Sequence, residues 1–423
     1  MNRMKRHPVR RLVWCFVAYA AVMAAYLWLF RAPAIPVAYK GTVADPATFM
    51  TADQLRMSNT YAAERNWLFF VSYGWEWGVY AALLFSGAAR RWESRLAAIV
   101  RQPLLRFPLY GVIVLFVAFV TYLPFRFVGY RLALHYGVSA QSFASWLQDK
   151  FVGFAVDSVV TLAVAGTAIW FIGRGGRWWL KLWLLSVPFI AFMMYIQPVV
   201  IDPLYNKFTP IADRALEQRI LAMASEAGIP AERVYEADMS NKTNSLNAYV
   251  NGIGSSLRIV LWDTTLQRLT QPEILLIVAH EIGHFVLHHL EWSALGAIGS
   301  SLFLLWAGSF LLRFSVRRWG VLWGLQEPKG AALLPLLLLI VSLLGFVSLP
   351  VSNAVSRQAE HAADVYSMQL LGDNEAAITM QQKLAISSLD EARPPLLVYW
   401  FRYTHPPMME RIDYVANYKP TAD

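Results

Sequence analysis

The chain has 423 residues, of which 57% are hydrophobic and only 15% charged. Soluble globular domains run nearer about 45–50% apolar and about 25% charged, which argues against a purely soluble enzyme and for a lipid bilayer as partner. The net charge of +9 does not mark a nucleic-acid binder, because the basic residues flank apolar runs and form no solvated stripe, and the single cysteine, Cys15, excludes an intramolecular disulfide framework or a multi-cysteine metal site.

Seven apolar runs are long enough to cross about 30 Å of hydrocarbon as helices. In chain order they are Leu12–Phe30, Trp67–Ala89, Phe107–Phe125, Phe151–Ile172, Leu182–Ile201, Trp292–Leu312 and Ala331–Val351. The first follows Arg3, Lys5, Arg6, Arg10 and Arg11, is long for a signal peptide and lacks a small-residue cleavage site, so it reads as an uncleaved anchor. The second and fourth hold Glu76 and Asp157, charges that are functional by default inside a membrane; Lys181 lies at an interface where it can snorkel. Pro188 and Pro198 predict a kinked or shortened fifth span.

Basic loops join these spans: Arg90, Arg91, Arg95, Arg101 and Arg106 in one, Arg174 and Arg177 in another, Arg313, Arg317 and Arg318 in a third. Seven spans put all three on the side of the N-terminus, and the positive-inside rule makes that side the cytoplasm. The chain then divides into a membrane domain at 1–201, a polar segment at 202–290, two further spans within 291–351 and a second polar segment at 352–423. The polar segments must form one water-facing domain if they work together.

Within the first polar segment, Ile211–Ala227 has helical periodicity and stops at Gly228 with Pro230 beyond. Arg233–Ala237, Leu246–Val250 and Arg258–Trp262 are short β-type runs, split by Asn251-Gly252 and Gly254, that predict a small antiparallel meander. Asn241-Lys242-Thr243 matches a glycosylation sequon, a triplet too common to carry weight. Thr270-Gln271-Pro272-Glu273 is a capping box that opens a helix from Gln271 to Leu290.

That helix carries His280-Glu281-Ile282-Gly283-His284. Histidines four apart share a helical face, so both imidazoles can bind one Zn²⁺ while Glu281 reaches a water beside it as general base. The bland reading, two packed histidines on an apolar helix, leaves the charge of Glu281 unexplained. A third ligand is required, and the stretch Ser356–Asp364 offers Glu360 and Asp364 on one face; one can ligate while the other accepts the outer N–H of a ligating histidine. His361 competes as ligand, and a solvated acidic face paired with Arg357 is the alternative. His288 and His289 continue the helix and read as packing or interfacial residues.

These motifs together resemble the zinc-dependent CAAX prenyl endopeptidases and their bacterial relatives. The HEIGH and SRQAEHAAD stretches carry the likeness, with Asp202-Pro203-Leu204-Tyr205-Asn206-Lys207-Phe208, Asn247-Ala248-Tyr249 before Arg258-Ile259-Val260-Leu261, and Thr404-His405-Pro406-Pro407 followed by Arg411. The resemblance implies a mostly α fold: a transmembrane bundle of about seven helices enclosing a water-filled chamber, with a zincin-like α+β metalloprotease domain and a small sheet. It implies one Zn²⁺ held by His280, His284 and Glu360, with Glu281 as base and Asp364 behind a ligand. It further implies His405 as oxyanion donor, Arg411 ordering the site, and Asn247, Ala248 and Tyr249 as an edge strand that binds substrate backbone. His289 also matches a family histidine.

The expected activity is therefore endopeptidase hydrolysis by activated water, since zinc lowers the pKa of a bound water to about 7. The chain has no cysteine suited to be nucleophile and no G-x-S-x-G serine motif. The expected substrate is a peptide or membrane protein, either prenylated at its C-terminus or handled in quality control of a bacterial inner membrane. A non-catalytic transporter or scaffold with a metal-binding domain is the reading from another class. The side of the membrane is open: charge counting puts the zinc domain outside the cytoplasm, whereas the eukaryotic branch of the resembled family faces the cytosol.

Overall fold

The structure, a computed structural model, describes residues 6–31, 34–252, 257–325 and 327–419. Among these, seven helices are long and apolar enough to cross a membrane. The first five are α1 (Arg6–Leu29), α2 (Ala52–Phe85), α3 (Pro103–His135), α4 (Phe143–Gly173) and α5 (Trp178–Ile196). Their outward faces are apolar, as at Val159, which is 71% exposed; such a surface is stable against lipid and not against water. In the fifth span α5 runs through Pro188 and ends at Ile196, where the chain passes into a wide π turn, Gln197–Ile201, at Pro198.

α2 starts well before the apolar run at Trp67. Its polar first half is satisfied by protein and not by lipid: Ser58 Oγ donates to the Asp390 carbonyl (2.6 Å), and Asn66 Nδ2 donates to Glu391 (3.0 Å). The far end of α2 meets the basic loops. Leu84 shares a core with Ile172, Trp178 and Leu325, and the Phe85 ring packs edge-on against Trp323 at 5.3 Å. The basic loops therefore gather at one end of the bundle and the segment around Asp390 at the other.

The water-facing part begins with β1 (Phe208–Pro210) and α6 (Arg214–Glu226), followed by β2 (Val234–Ala237), β3 (Ala248–Asn251) and β4 (Arg258–Trp262). The strand order is β1-β2-β4-β3. β3 and β4 form the expected antiparallel pair, with Tyr249 opposite Val260, but β2 and β4 run parallel, so the antiparallel meander is corrected to a mixed sheet. The reason lies in the link after β2: Met239 and Ser240 donate their N–H groups to Asp263 (2.9 and 2.8 Å), and Lys242 pairs with Asp149 of α4 (2.9 Å). Tied down there, the chain crosses to the far side of β4 before forming β3, which leaves β3 at the sheet edge. Those ties also account for the Asn241-Lys242-Thr243 triplet. β1 was too short to be foreseen, and the Gly254 turn lies outside the described residues.

α7 (Gln271–Val286) follows, then α8 (His289–Trp323), α9 (Leu334–Leu371), α10 (Asn374–Ser388), α11 (Leu396–Arg402) and α12 (Met408–Asn417). One expectation is corrected. α7 does not run to Leu290: His288 takes a left-handed conformation (φ 56°) that ends it and lets α8 restart. The last apolar run and the polar segment after it are one unbroken helix, α9, so the boundary at 351/352 falls inside a rigid rod that passes through Pro350. One core joins Ile220 of α6, Ile259 and Leu261 of β4 and Leu276 of α7 with Met368, Met380 and Val415 from the second polar segment.

The capping box is present. Glu273, 2% exposed, accepts from Thr270 N–H (2.7 Å) and from Lys383 Nζ (2.7 Å), tying the start of α7 to α10. Glu273→Ala removes both contacts and is expected to cost about 1–3 kcal/mol, read as a lower Tm of the solubilised chain. An unchanged Tm contradicts this account of the helix start.

Candidate metal centre

α7 carries His280 and His284 one turn apart, and α9 brings Glu360 against them. Close approach of the two helices depends on Gly283, where a Cβ would lie 3.0 Å from Cδ1 and 3.1 Å from Cβ of Tyr366 on α9. One ligand atom from each of His280, His284 and Glu360 lies within 4.8 Å of the others. The His280 and His284 Nε2 atoms are 3.2 Å apart, and Glu360 reaches them at 3.2 and 3.6 Å.

Glu360 is buried, and its Oε2 has no hydrogen-bond donor aligned on it. A buried carboxylate oxygen in that state is costly unless a cation satisfies it. Two imidazole nitrogens and a carboxylate also match the donor set of catalytic metal sites that keep a fourth position open. The residues present therefore fit a divalent metal ion.

The surroundings fix the first imidazole. His280 Nδ1 lies 2.9 Å from Asp364 Oδ1, and Asp364 is held by two hydrogen bonds from Arg411, Nε to Oδ2 at 2.8 Å and Nη2 to Oδ1 at 2.7 Å. Burial alone would lower the His280 pKa, but the Asp364 and Glu360 carboxylates beside it carry it up to about 10. Arg411 is likewise buried, and Asp364 raises its pKa despite that burial. The proton on metal-free His280 must leave when a cation binds. The outer nitrogen of His284 lies 2.9 Å from Nδ1 of His289, a residue the sequence pattern marked as packing or interfacial.

His405 approaches from the other side, with Nε2 3.2 Å from Glu360 Oε2 and Nδ1 2.9 Å from Thr404 Oγ1. Desolvation lowers its pKa ahead of the opposing pull of Glu360. A Thr404 hydroxyl donating into Nδ1 would place the imidazole proton on Nε2, the nitrogen that faces Glu360. The Glu281 pKa is raised, because desolvation outweighs the nearby charge of His280 and His284. His361 turns away from the triad, with its ring packed edge-on against Tyr414 at 4.8 Å.

His280 opens onto a cleft of about 350 Å³ whose walls also include Asn247, Ala248, Glu281, His405 and Arg411. Tyr249 is not part of the wall, since strand alternation turns it to the opposite face from Ala248. Its hydroxyl is pushed up to about 12 by burial and by Asp202. Asp202, from the Asp202–Phe208 stretch, pins the β3–β4 pair through Arg258 (3.0 Å) and Asn251 (3.2 Å).

The cleft also contains Arg65 of α2 and Arg402 of α11, which sequence reasoning missed. Arg402 pairs with Asn66, while Tyr403 donates to Glu391 (3.2 Å), so α2 and the segment leading to His405 share one polar network. The available signal was the charge of the chain just before the apolar run at Trp67. Glu76 and Asp157 lie elsewhere, lining a second cavity of about 410 Å³ between α2, α3 and α4 with Arg126, and Ser342 Oγ donates to Glu76 (3.0 Å). Lys181 lines neither cavity.

Comparison with known proteins extends these observations. Residues 210–419 match peptidase family M48, and residues 35–207 match the N-terminal region of CAAX prenyl proteases, described as five membrane helices. The chain is 41% identical over 403 residues, 95% of each protein, to the uncharacterized metalloprotease YhfN of Bacillus subtilis. It is 30% identical over 299 residues, 69% of each, to CAAX prenyl protease 1 homolog of Arabidopsis thaliana. The crystal structure of S. mikatae Ste24p superposes with a TM-score of 0.75 over 98% of this chain and 99% of that one at 19% identity, a likeness of fold.

Proposed function

Because this chain belongs to peptidase family M48 and is a multi-pass membrane metalloprotease, we propose that it is a zinc endopeptidase in which His280, His284 and Glu360 hold one Zn²⁺. The observation that carries this reading is the convergence of two imidazoles and a buried, unpartnered carboxylate oxygen on one point. When bound, the ion supplies Lewis acidity and a water ionisable near neutral pH.

The chain's own residues do the rest. Glu281 takes the proton of the attacking water and passes it to the leaving amine, a shuttle served by a pKa raised through desolvation. His405 donates from Nε2 to the oxyanion, and Thr404 holds its tautomer. Asp364 orients His280, and Arg411 holds Asp364 in place. β3, at the edge of the sheet, pairs with the substrate backbone beside Asn247 and Ala248.

The test is metal removal and return. Dialysis of the solubilised chain against a chelator is expected to abolish hydrolysis of an unfolded membrane-protein substrate, and one equivalent of Zn²⁺ to restore it. Wild type that takes up no zinc would end the proposal. A second reading, cleavage next to a prenylated C-terminus, draws on the names of the plant and other CAAX protease relatives. Farnesylated and unmodified forms of one peptide separate the two, since a prenyl-specific enzyme cleaves only the first.

The basic loops lie at the end of the bundle away from the metal centre, which favours a catalytic domain outside the cytoplasm of a bacterial inner membrane. A C-terminal alkaline phosphatase fusion is expected to be active. An inactive fusion, with a cytoplasmic reporter active in its stead, reverses the orientation.

A further inference from the structure

An imidazole that binds a metal needs a partner on its second nitrogen, because that hydrogen bond fixes the tautomer and the orientation of the ring. For His280 the Asp364 carboxylate stands there, its Oδ1 2.9 Å from Nδ1. Among the described residues, no carboxylate meets Nδ1 of His284; the atom there is Nδ1 of His289, 2.9 Å away, with ring centroids 5.0 Å apart and planes at 66°. Two such nitrogens can share only one proton. Nε2 of His284 faces His280 and Glu360, so the proton belongs on its Nδ1, and His289 receives it with a lone pair while carrying its own proton on Nε2.

Spacing alone does not produce this contact. Five residues along a continuous helix turn a side chain through about 140°, off the metal face. The break between α7 and α8 produces it: His288 adopts φ 56° and ψ 33°, a left-handed conformation that is costly for a residue with a Cβ, and the chain swings the His289 ring back onto His284.

We infer that His289 is a positioning residue of the metal centre, accepting the outer N–H of His284 as Asp364 accepts that of His280. The inference rests on His280, His284 and Glu360 being the metal ligands. His289 is also the first residue of α8, a membrane-crossing helix, so the contact ties the second ligand to the membrane body. The two ligating imidazoles are then held unequally, one by a carboxylate and one by a neutral ring.

The test measures zinc affinity of the full-length solubilised chain by competition with a chromophoric chelator, for wild type, His289→Phe and His289→Asn. Phe keeps a ring but accepts no hydrogen bond; Asn loses the ring but keeps an acceptor oxygen. His289→Phe is expected to bind zinc about 10–100-fold more weakly and His289→Asn close to wild type, with the metal-free Tm of the Phe variant unchanged. If the Phe variant does not fold, His289→Leu serves as the acceptor-free case. An acceptor-free variant that binds zinc as tightly as wild type overturns the inference, and so does equal weakening by Phe and Asn. Wild type without zinc removes the ligand assignment itself and is read from the same titration.

Discussion

Glu281→Gln is expected to retain zinc at wild-type stoichiometry and to hydrolyse peptide about 10²–10⁴-fold more slowly. Glutamine keeps the length of the side chain and its place on α7, but its amide cannot take up a proton. Its neighbour Ile282 is fully buried in the core, and Glu281 faces the cleft, so the exchange leaves the packing of α7 intact. The assay pairs peptide turnover with metal content on the same preparation. Full activity in this variant would refute the base assignment, whereas loss of zinc would mean that Glu281 shapes the centre and not the proton transfer.

The second large effect is expected from Glu360→Ala, which should lower bound zinc from one ion per chain to none and abolish turnover. The substitution takes away the only carboxylate within reach of both His280 and His284 Nε2 among the described residues. Asp364 cannot replace it, since both of its oxygens are already held by Arg411 and one also by His280. Removal would also leave His280, His284 and His405 facing one another without a counter-charge. His361→Ala, at the adjacent residue but packed on Tyr414, is the matched control and should keep zinc and activity. Stoichiometric zinc in Glu360→Ala, or its loss in His361→Ala, would reassign the third ligand.

Much of this was written in local pattern. Apolar runs of about twenty residues with at most one charge can only be buried or lipid-facing, so the seven helices were legible. The capping box located the start of α7 because its two hydrogen bonds join residues three apart. The strand at 258–262 was legible to the residue, but the sense of its pairing with β2 was not, since the crossover is set by Asp263 and by Asp149, more than a hundred residues upstream of β4.

The sequence by itself determined the membrane body, the metalloprotease motif and the pair of acidic candidates for a third ligand, all of which depend on neighbours within one or two helical turns. Only the tertiary structure decided that Glu360 stands by both histidine Nε2 atoms while Asp364 stands behind His280, that Arg65 and Arg402 line the same cleft, and that His289 stands behind His284. Each of those contacts joins elements whose separation is set by packing, at Gly283 against Tyr366 and at the left-handed turn of His288, and packing distances are not encoded in any short window of residues.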